Sequence, residues 1–343
     1  MIKKTEKEIT KYWKNDSPLV SVICMVYNHA RYVADALDGF LQQETDFPFE
    51  VIIHDDASVD GSPDVIREYE KNFPNIIKPI YEKTNLYSRD TALLRDVVYR
   101  ELKGKYIAIC EGDDYWCDSR KLKKTVDFLE VNNNYSACAH NTILMNLVSR
   151  KQKRKTMFSD KDCDLNLRDI LDENDCHTSS VVCRREYFLN RPAFCFAQPG
   201  VGDYPLKVFL AMMGPVKRFG KVMSVYRFGT PNSWTLRTIG NAGKIVQNSI
   251  NAMRMLCMAN EWSTYNFNDV FRPVILRTLY NNFMKIGRFD VVKGEPYASF
   301  WNSESAFAQA KYYLRSLKYA YCLSNKDELM NQMKEIDSII NKK

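Results

Sequence analysis

Ten cysteines occur without a single CxxC pair, there are only four histidines, and no apolar run approaches the roughly 18 residues that a membrane span needs. Each shortage excludes something. The cysteines sit mostly inside apolar runs, where a thiol behaves as a small hydrophobe, so a reducing cytoplasm is the expected compartment. The N-terminus "MIKKTEKEITKYWKN" carries charge without a following apolar region of signal length, and the longest apolar runs are "LVSVICMVY" and "VFLAMM". A chain that neither is exported nor crosses a membrane by itself is expected. Lys and Arg outnumber Asp and Glu by 49 to 42, a net charge of +7. That balance suits anionic small molecules or a phospholipid surface and falls short of a nucleic-acid binder.

What is present is a core. At 343 residues and 45% hydrophobic content, one large domain or two ordinary ones can form. Strand-like and helix-like stretches alternate in the first half. "LVSVICMV" (19–26) is followed by "HARYVADALDGFLQQ", and "FEVIIHDD" (49–56) by "SPDVIREYEKNF" with Pro63 in the first turn. "IIKPIYE" (76–82), the helical "TALLRDVVYREL" closed by Gly104, and "KYIAIC" (105–110) continue the series. Such alternation predicts a Rossmann-like α/β sheet covered by helices. "YSACAHNTILMN" and "HTSSVVCRREYF" read as further strands, and "GDYPLKVFLAMMG" (202–214) as a helix ended by Gly214.

From about 241 the patterns are helical. Val246, Ile250, Met253 and Cys257, then Ile275, Leu279, Phe283 and Ile286, then Phe307, Ala310, Leu314, Leu317 and Tyr321 recur at steps of three and four. Helices packing on one another are expected there. "RKQKRK" (150–155) reads either as a solvated loop or as a contact for anionic lipid or a phosphorylated acceptor.

Carboxylates gather where two strands end. "VIIHDD" closes on Asp55 and Asp56, and "YIAIC" leads into Glu111, Asp113 and Asp114. In open α/β sheets ligands bind beyond the carboxyl ends of strands, and acids meeting there repel unless a cation or a set of donors compensates. Mg²⁺ or Mn²⁺ prefers carboxylate oxygens and keeps positions open for phosphates, which matches an acidic patch without a Cys/His set. The competing reading makes these aspartates ordinary turn and cap residues.

The order of the pieces, "VSVICMVYN", "EVIIHDDASVDGS" and "LLRDVVYRELKGKYIAICEGDDYW", resembles the family 2 glycosyltransferases of GT-A fold over about 17–230. The resemblance implies a GT-A Rossmann-like mixed sheet flanked by helices with a helical C-terminal region, laid out as an extension (1–17), a glycosyltransferase domain (18–240, its nucleotide-binding half about 18–118) and a helical region (241–343). It places Val26, Tyr27 and Asn28 at the nucleotide base, lets Asp55 or Asp56 accept from the uracil ring, and brings Arg95 to the nucleotide. Glu111, Asp113 and Asp114 fall on the family's DxD, with Glu in place of the first Asp and Asp113 and Asp114 as the metal pair.

Asp203, at the start of "DYPLKVFLAMM", is then the general base, Arg227 a diphosphate contact, and His177 and Trp234 acceptor contacts. Gly229 stands where the family often has a histidine. The expected activity is a Mn²⁺- or Mg²⁺-dependent inverting transfer from a nucleotide sugar, UDP-linked, to a glycan or lipid-linked acceptor in bacterial surface polysaccharide synthesis, with peripheral contact to the inner membrane face. Two other classes stay open: a non-catalytic nucleotide-sugar or glycan-binding module, and a sugar-1-phosphate nucleotidyltransferase, disfavoured because "CMVYNHARYV" lacks a Gly-rich phosphate loop.

Overall fold

The computed structural model describes residues 4–149, 153–172, 175–197, 202–231, 233–238, 240–322 and 325–341; the side chains of Trp234 and of 317–322 lie outside the description. Two compact units result, one of 1–191 with 199–230 and one of 192–198 with 231–343.

In the first unit, after the short helix α1 (Glu6–Thr10), the chain runs β1 (Val20–Val26), α2 (Val33–Leu41), β2 (Phe49–Asp55), α3 (Ser62–Asn72), β3 (Ile77–Tyr81), α4 (Thr91–Glu101) and β4 (Tyr106–Ile109). The expected alternation is present. It continues through β5 (Tyr115–Trp116), α5 (Lys121–Val131), β6 (Ala137–Asn146), β7 (Arg154–Thr156), β8 (Cys163–Leu165), α6 (Leu167–Leu171), β9 (Val182–Arg184), α7 (Arg185–Leu189), α8 (Asp203–Met213) and β10 (Val216–Phe228).

The sheet is mixed, in the order β3-β2-β1-β4-β9-β6-β10-β5, with β7 against β6 and β8 against β10. β1, β2, β3 and β4 are mutually parallel, Val26 standing opposite Asp55. β9 is antiparallel to both β4 and β6. Val20, Val22, Cys24 and Val26 of β1 share one buried cluster with Val33, Leu37, Phe40 and Leu41 of α2. At about 1.5–3 kcal/mol for each fully buried large aliphatic side chain, this seam fixes where the strands end.

"HTSSVVCRREYF" is not one strand. It is a turn of 3₁₀ helix (Thr178–Ser180), three residues of β9, and α7. β10, the longest strand, escapes the sequence pattern because Lys217, Arg218, Gly220 and Lys221 interrupt its apolar alternation. Of the basic run, 150–152 lie outside the described residues; Arg154 and Lys155 belong to exposed β7.

The second unit holds α9 (Trp234–Thr238), α10 (Ala242–Trp262), α11 (Asn268–Lys285), α12 (Phe289–Val292), α13 (Ala298–Ser303), α14 (Ala306–Cys322) and α15 (Lys326–Asn341). Val246, Ile250 and Met253 of α10 and Ile275, Leu279 and Phe283 of α11 are buried as their spacing predicts. The stripe on α14 differs: Phe307 is 80% and Leu314 71% exposed, so these two positions are not packed against neighbours, and the side chains of Leu317 and Tyr321 lie outside the described residues. The burial falls to α15 instead, through Leu329, Met333 and Ile336. No helix among the described residues is long and apolar enough to cross a membrane.

Lys121 is fully buried at the start of α5, its Nζ 3.6 Å from the Trp116 ring centre and donating to the Ser179 carbonyl at 3.0 Å. Burial lowers its pKa to about 7. Between pH 7 and the ordinary lysine range the unfolded chain therefore holds the extra proton, so this group makes stability rise with pH. Melting Lys121→Met beside the wild type at pH 6.5, 8 and 9.5 should give a difference, mutant minus wild type, that falls as pH rises; a pH-independent difference would contradict the assignment.

Candidate active site

Because β1, β2 and β4 are parallel, their carboxyl ends open on one edge, and the loops that follow are pinned to each other. Asn28 adopts a left-handed φ of 57°, a conformation Asn tolerates better than most residues. Its amide donates to Ser58 Oγ at 2.8 Å, and its Oδ1 accepts from the Val59 amide at 2.9 Å. The His29 amide donates to Ser62 Oγ at 2.9 Å. Val26 is buried at the strand end while Tyr27 is exposed beside it.

Asp55 and Asp56 differ in what they hold. Asp56 is spent on the chain: Oδ1 accepts from the Leu86 amide at 2.6 Å and Oδ2 from the Tyr87 amide at 3.0 Å. Asp55 Oδ2 accepts from the Ser58 amide at 3.2 Å, whereas its Oδ1 is buried and has no partner among the described residues. A buried carboxylate oxygen left unpaired costs about 1–3 kcal/mol, more when charged, unless a ligand supplies the donor.

The loop after β4 crosses the end of β1. The Gly112 amide donates to the Met25 carbonyl at 2.9 Å, and a Cβ there would stand 2.8 Å from Val26 Cγ2, so only glycine allows the approach. Asp113 and Asp114 follow, both buried. Arg227 of β10 fastens them: its amide donates to Asp114 Oδ1 at 2.9 Å and its Nη1 to the Asp113 carbonyl at 2.9 Å, while Nη2 pairs with Asp35. The expected diphosphate contact is thus a residue whose guanidinium is engaged with the loop. Thr230 Oγ1 donates to Asp113 Oδ2 at 2.7 Å. The neighbouring acid Asp118 is structural, pairing with Lys221 and accepting from the Arg120 amide.

Two histidines face this pair. His29 Nε2 lies 4.0 Å from Asp113 Oδ2, and His177 Nδ1 lies 3.9 Å from Asp114 Oδ2. Burial holds His29 below its ordinary pKa, against the pull of Asp113. Burial, helped by the charge of Lys207, lowers His177 to about 4. Its ring stacks on Tyr226 with centres 4.2 Å apart. Both rings are neutral near pH 7 and neutralise nothing. Burial and then the Asp113 charge push Asp114 well above the carboxylate range, and Glu111, although exposed, is raised by the protein packed around its carboxyl and by Asp113 and Asp203.

That influence places Asp203, in the first turn of α8, within reach of the same acidic patch. Its Oδ2 accepts from Thr178 Oγ1 at 3.0 Å and its Oδ1 from the Tyr204 amide at 2.8 Å. Arg95 is half-buried on α4. Trp234 begins α9 in the second unit, its side chain outside the described residues. His29, Asp35, Thr178, Tyr226 and Thr230 are the site residues that sequence reasoning missed. Only His29, directly after "YN", carried a signal that pointed to it.

A divalent cation fits this donor set. Among the described residues no three His, Cys, Asp or Glu side chains converge as a closed ligand cage. Asp113 and Asp114 instead keep carboxylate oxygens that no lysine or arginine side chain is described as pairing. Two carboxylates with open positions suit a hard ion that also takes phosphate oxygens.

The fold and this edge can now be set beside known proteins. The model of glycosyl transferase family 2 matches residues 21–190, just under half of the chain, and that segment belongs to the family. An uncharacterized protein of Mycobacterium tuberculosis is 35% identical over 217 residues, 63% of this chain and 60% of that protein, so the match spans less than two thirds of that relative. The putative teichuronic acid biosynthesis glycosyltransferase TuaG of Bacillus subtilis is 35% identical over 117 residues, 34% of this chain and 43% of its own. Among solved structures, TarS of S. aureus in complex with UDP-GlcNAc aligns with a TM-score of 0.55 at 15% identity, covering 94% of this chain and 89% of that one. The mixed, helix-flanked sheet is the GT-A fold.

Replacing Asp56 by Ala should leave the Leu86 and Tyr87 amides without their partner and destabilise the protein by about 1–3 kcal/mol. Asp55→Ala should cost less, since it also removes the unpaired oxygen. Chemical denaturation of the two variants checks the order.

Proposed function

We propose that this chain is a metal-dependent, inverting glycosyltransferase that moves a sugar from a UDP-sugar to a glycan or lipid-linked acceptor of a bacterial surface polysaccharide. The observation that carries the reading is the buried pair Asp113 and Asp114, whose carboxylates are paired with no lysine or arginine side chain among the described residues and are offset only in part by the nearby Arg227 charge, at the edge where Asp55 presents an orphaned oxygen. TarS bound to UDP-GlcNAc and the place of TuaG in teichuronic acid biosynthesis support the donor and pathway class.

In this reading Asp55 Oδ1 accepts from the imide N–H of uracil, and Val26, Tyr27 and Asn28 flank the base; Asp56 shapes the loop behind it. Arg95 reaches the nucleotide from α4. Arg227 serves the diphosphate end by fixing the Asp113–Asp114 loop. Mn²⁺ or Mg²⁺ held by Asp113 and Asp114 would offset charge on the departing diphosphate, as a Lewis acid and template. Asp203 takes the proton of the acceptor hydroxyl as that oxygen attacks the anomeric carbon opposite the leaving group, which inverts its configuration. His177 is assigned to the acceptor side, and exposed Glu111 to the ribose or the metal. Exposed basic residues of β7, Arg154 and Lys155, would support peripheral contact with the inner membrane face.

Calorimetric titration of UDP should show tighter binding with Mn²⁺ than without, an increment that Asp114→Asn removes. Asp55→Ala should weaken UDP binding roughly tenfold or more, the loss of one hydrogen bond to a charged group. UDP binding that is metal-independent and equal in wild type and Asp114→Asn would sink the metal reading. Asp203→Asn should abolish transfer while UDP binding stays near wild type; a wild type that binds UDP yet turns over no sugar nucleotide would leave a binding module.

A further inference from the structure

The 3₁₀ turn Thr178–Ser180 is held on every side. His177 caps it, its Nδ1 accepting from the Ser179 amide at 3.2 Å, and the Ser180 amide returns to the His177 carbonyl at 2.9 Å. The Ser179 carbonyl accepts from Trp116 Nε1 at 2.9 Å and from Lys121 Nζ at 3.0 Å. Ser179 Oγ donates to Ser224 Oγ at 3.1 Å and lies 2.8 Å from His177 Nδ1. Ser179 and Ser180 are buried. The one hydroxyl of the turn that leaves this network is Thr178 Oγ1, which donates to Asp203 Oδ2. The residue before Thr178 is His177, 3.9 Å from Asp114. A single rigid turn therefore touches both the acid at the metal end of the site and the carboxylate at its acceptor end.

We propose that Thr178 is a positioning residue: its hydroxyl fixes the side-chain torsions of Asp203, so that the carboxylate meets the acceptor hydroxyl at a set distance from the Asp113–Asp114 pair. This rests on the base assignment for Asp203. Among the described residues the other hydrogen bond to the Asp203 side chain comes from the amide of the next residue, so Thr178 is the hydrogen-bond partner that reaches it from another element, and a misplacement near 1 Å costs on the order of 100-fold in rate.

The test compares Thr178→Val, which keeps the shape, Thr178→Ala, a second hydroxyl-free variant, and Thr178→Ser, which keeps the hydroxyl. UDP release from UDP-GlcNAc and from UDP-glucose is measured in the presence of Mn²⁺. The hydroxyl-free variants should lose roughly 10- to 100-fold in kcat, with donor KM, UDP affinity and melting temperature unchanged, and Thr178→Ser should recover most of the rate. Wild-type kcat in Val and Ala, equal loss in all three variants, or a parallel loss of UDP affinity would overturn the proposal. Asp203→Asn separates the two readings. If it is inactive while Thr178→Val is not impaired, only the positioning role falls; if Asp203→Asn turns over like wild type, or the wild type releases no UDP from either donor, the base assignment falls and the proposal with it.

Discussion

Two buried aspartates in sequence can exist only if their backbone is gripped from elsewhere, and Arg227 does the gripping. Its amide, its guanidinium and the Thr230 hydroxyl three residues further on bind Asp114, the Asp113 carbonyl and Asp113 Oδ2 respectively. β10 delivers Arg227 across 113 positions of sequence, which makes the register of that strand against β6 a condition of the site. Hydrogen bonds of this kind contribute about 0.5–1.5 kcal/mol each, while like charges about 4 Å apart repel by about 4 kcal/mol at an effective dielectric of 20. The clamp therefore sets geometry and leaves the charge unsettled. Burial first, and then the Asp113 charge, raise the pKa of Asp114, and the proposed cation would offset both.

The parallel half of the sheet was legible because its signals are local. "LVSVICMV", "FEVIIHDD" and "KYIAIC" are buried on both faces, so each reads as a short continuous apolar run between helical patterns. The antiparallel half was not. β5, β7 and β8 are two or three residues long, too short to carry a period, and in β10 Lys217, Arg218, Gly220 and Lys221 break the apolar alternation even though Arg218 and Arg227 are buried. On α14 the three-four spacing is real, yet Phe307 and Leu314 stand in solvent. Periodicity shows that a helix has an apolar face, and only the packed structure shows whether anything covers it.

The site divides in the same way. Acids at strand ends are visible in sequence because a carboxylate behind a core run is conspicuous, and Asp55, Asp56, Asp113 and Asp114 were found so. What sequence left open between Asp55 and Asp56 depended on partners about 30 positions away, the amides of Leu86 and Tyr87. Asp35, 192 positions from Arg227, and Thr178, 25 from Asp203, had no signal at all. Their roles come from pairings that sheet topology creates.

Gly229 shows how a departure from a family pattern follows from backbone geometry. Its φ of 92° belongs to the left-handed side of the map, and a Cβ there would stand 2.4 Å from Val148 Cγ2. A histidine would be strained and obstructed at that position, so imidazole can enter the site only from other elements. It does so twice, from the loop after β1 as His29 and from the cap of the 3₁₀ turn as His177. Burial keeps both below their ordinary pKa, so each can donate or accept one hydrogen bond beside a carboxylate without cancelling its charge. The glycine thus leaves the supply of imidazole to other segments, while the carboxylates of Asp113 and Asp114 keep their place at this edge.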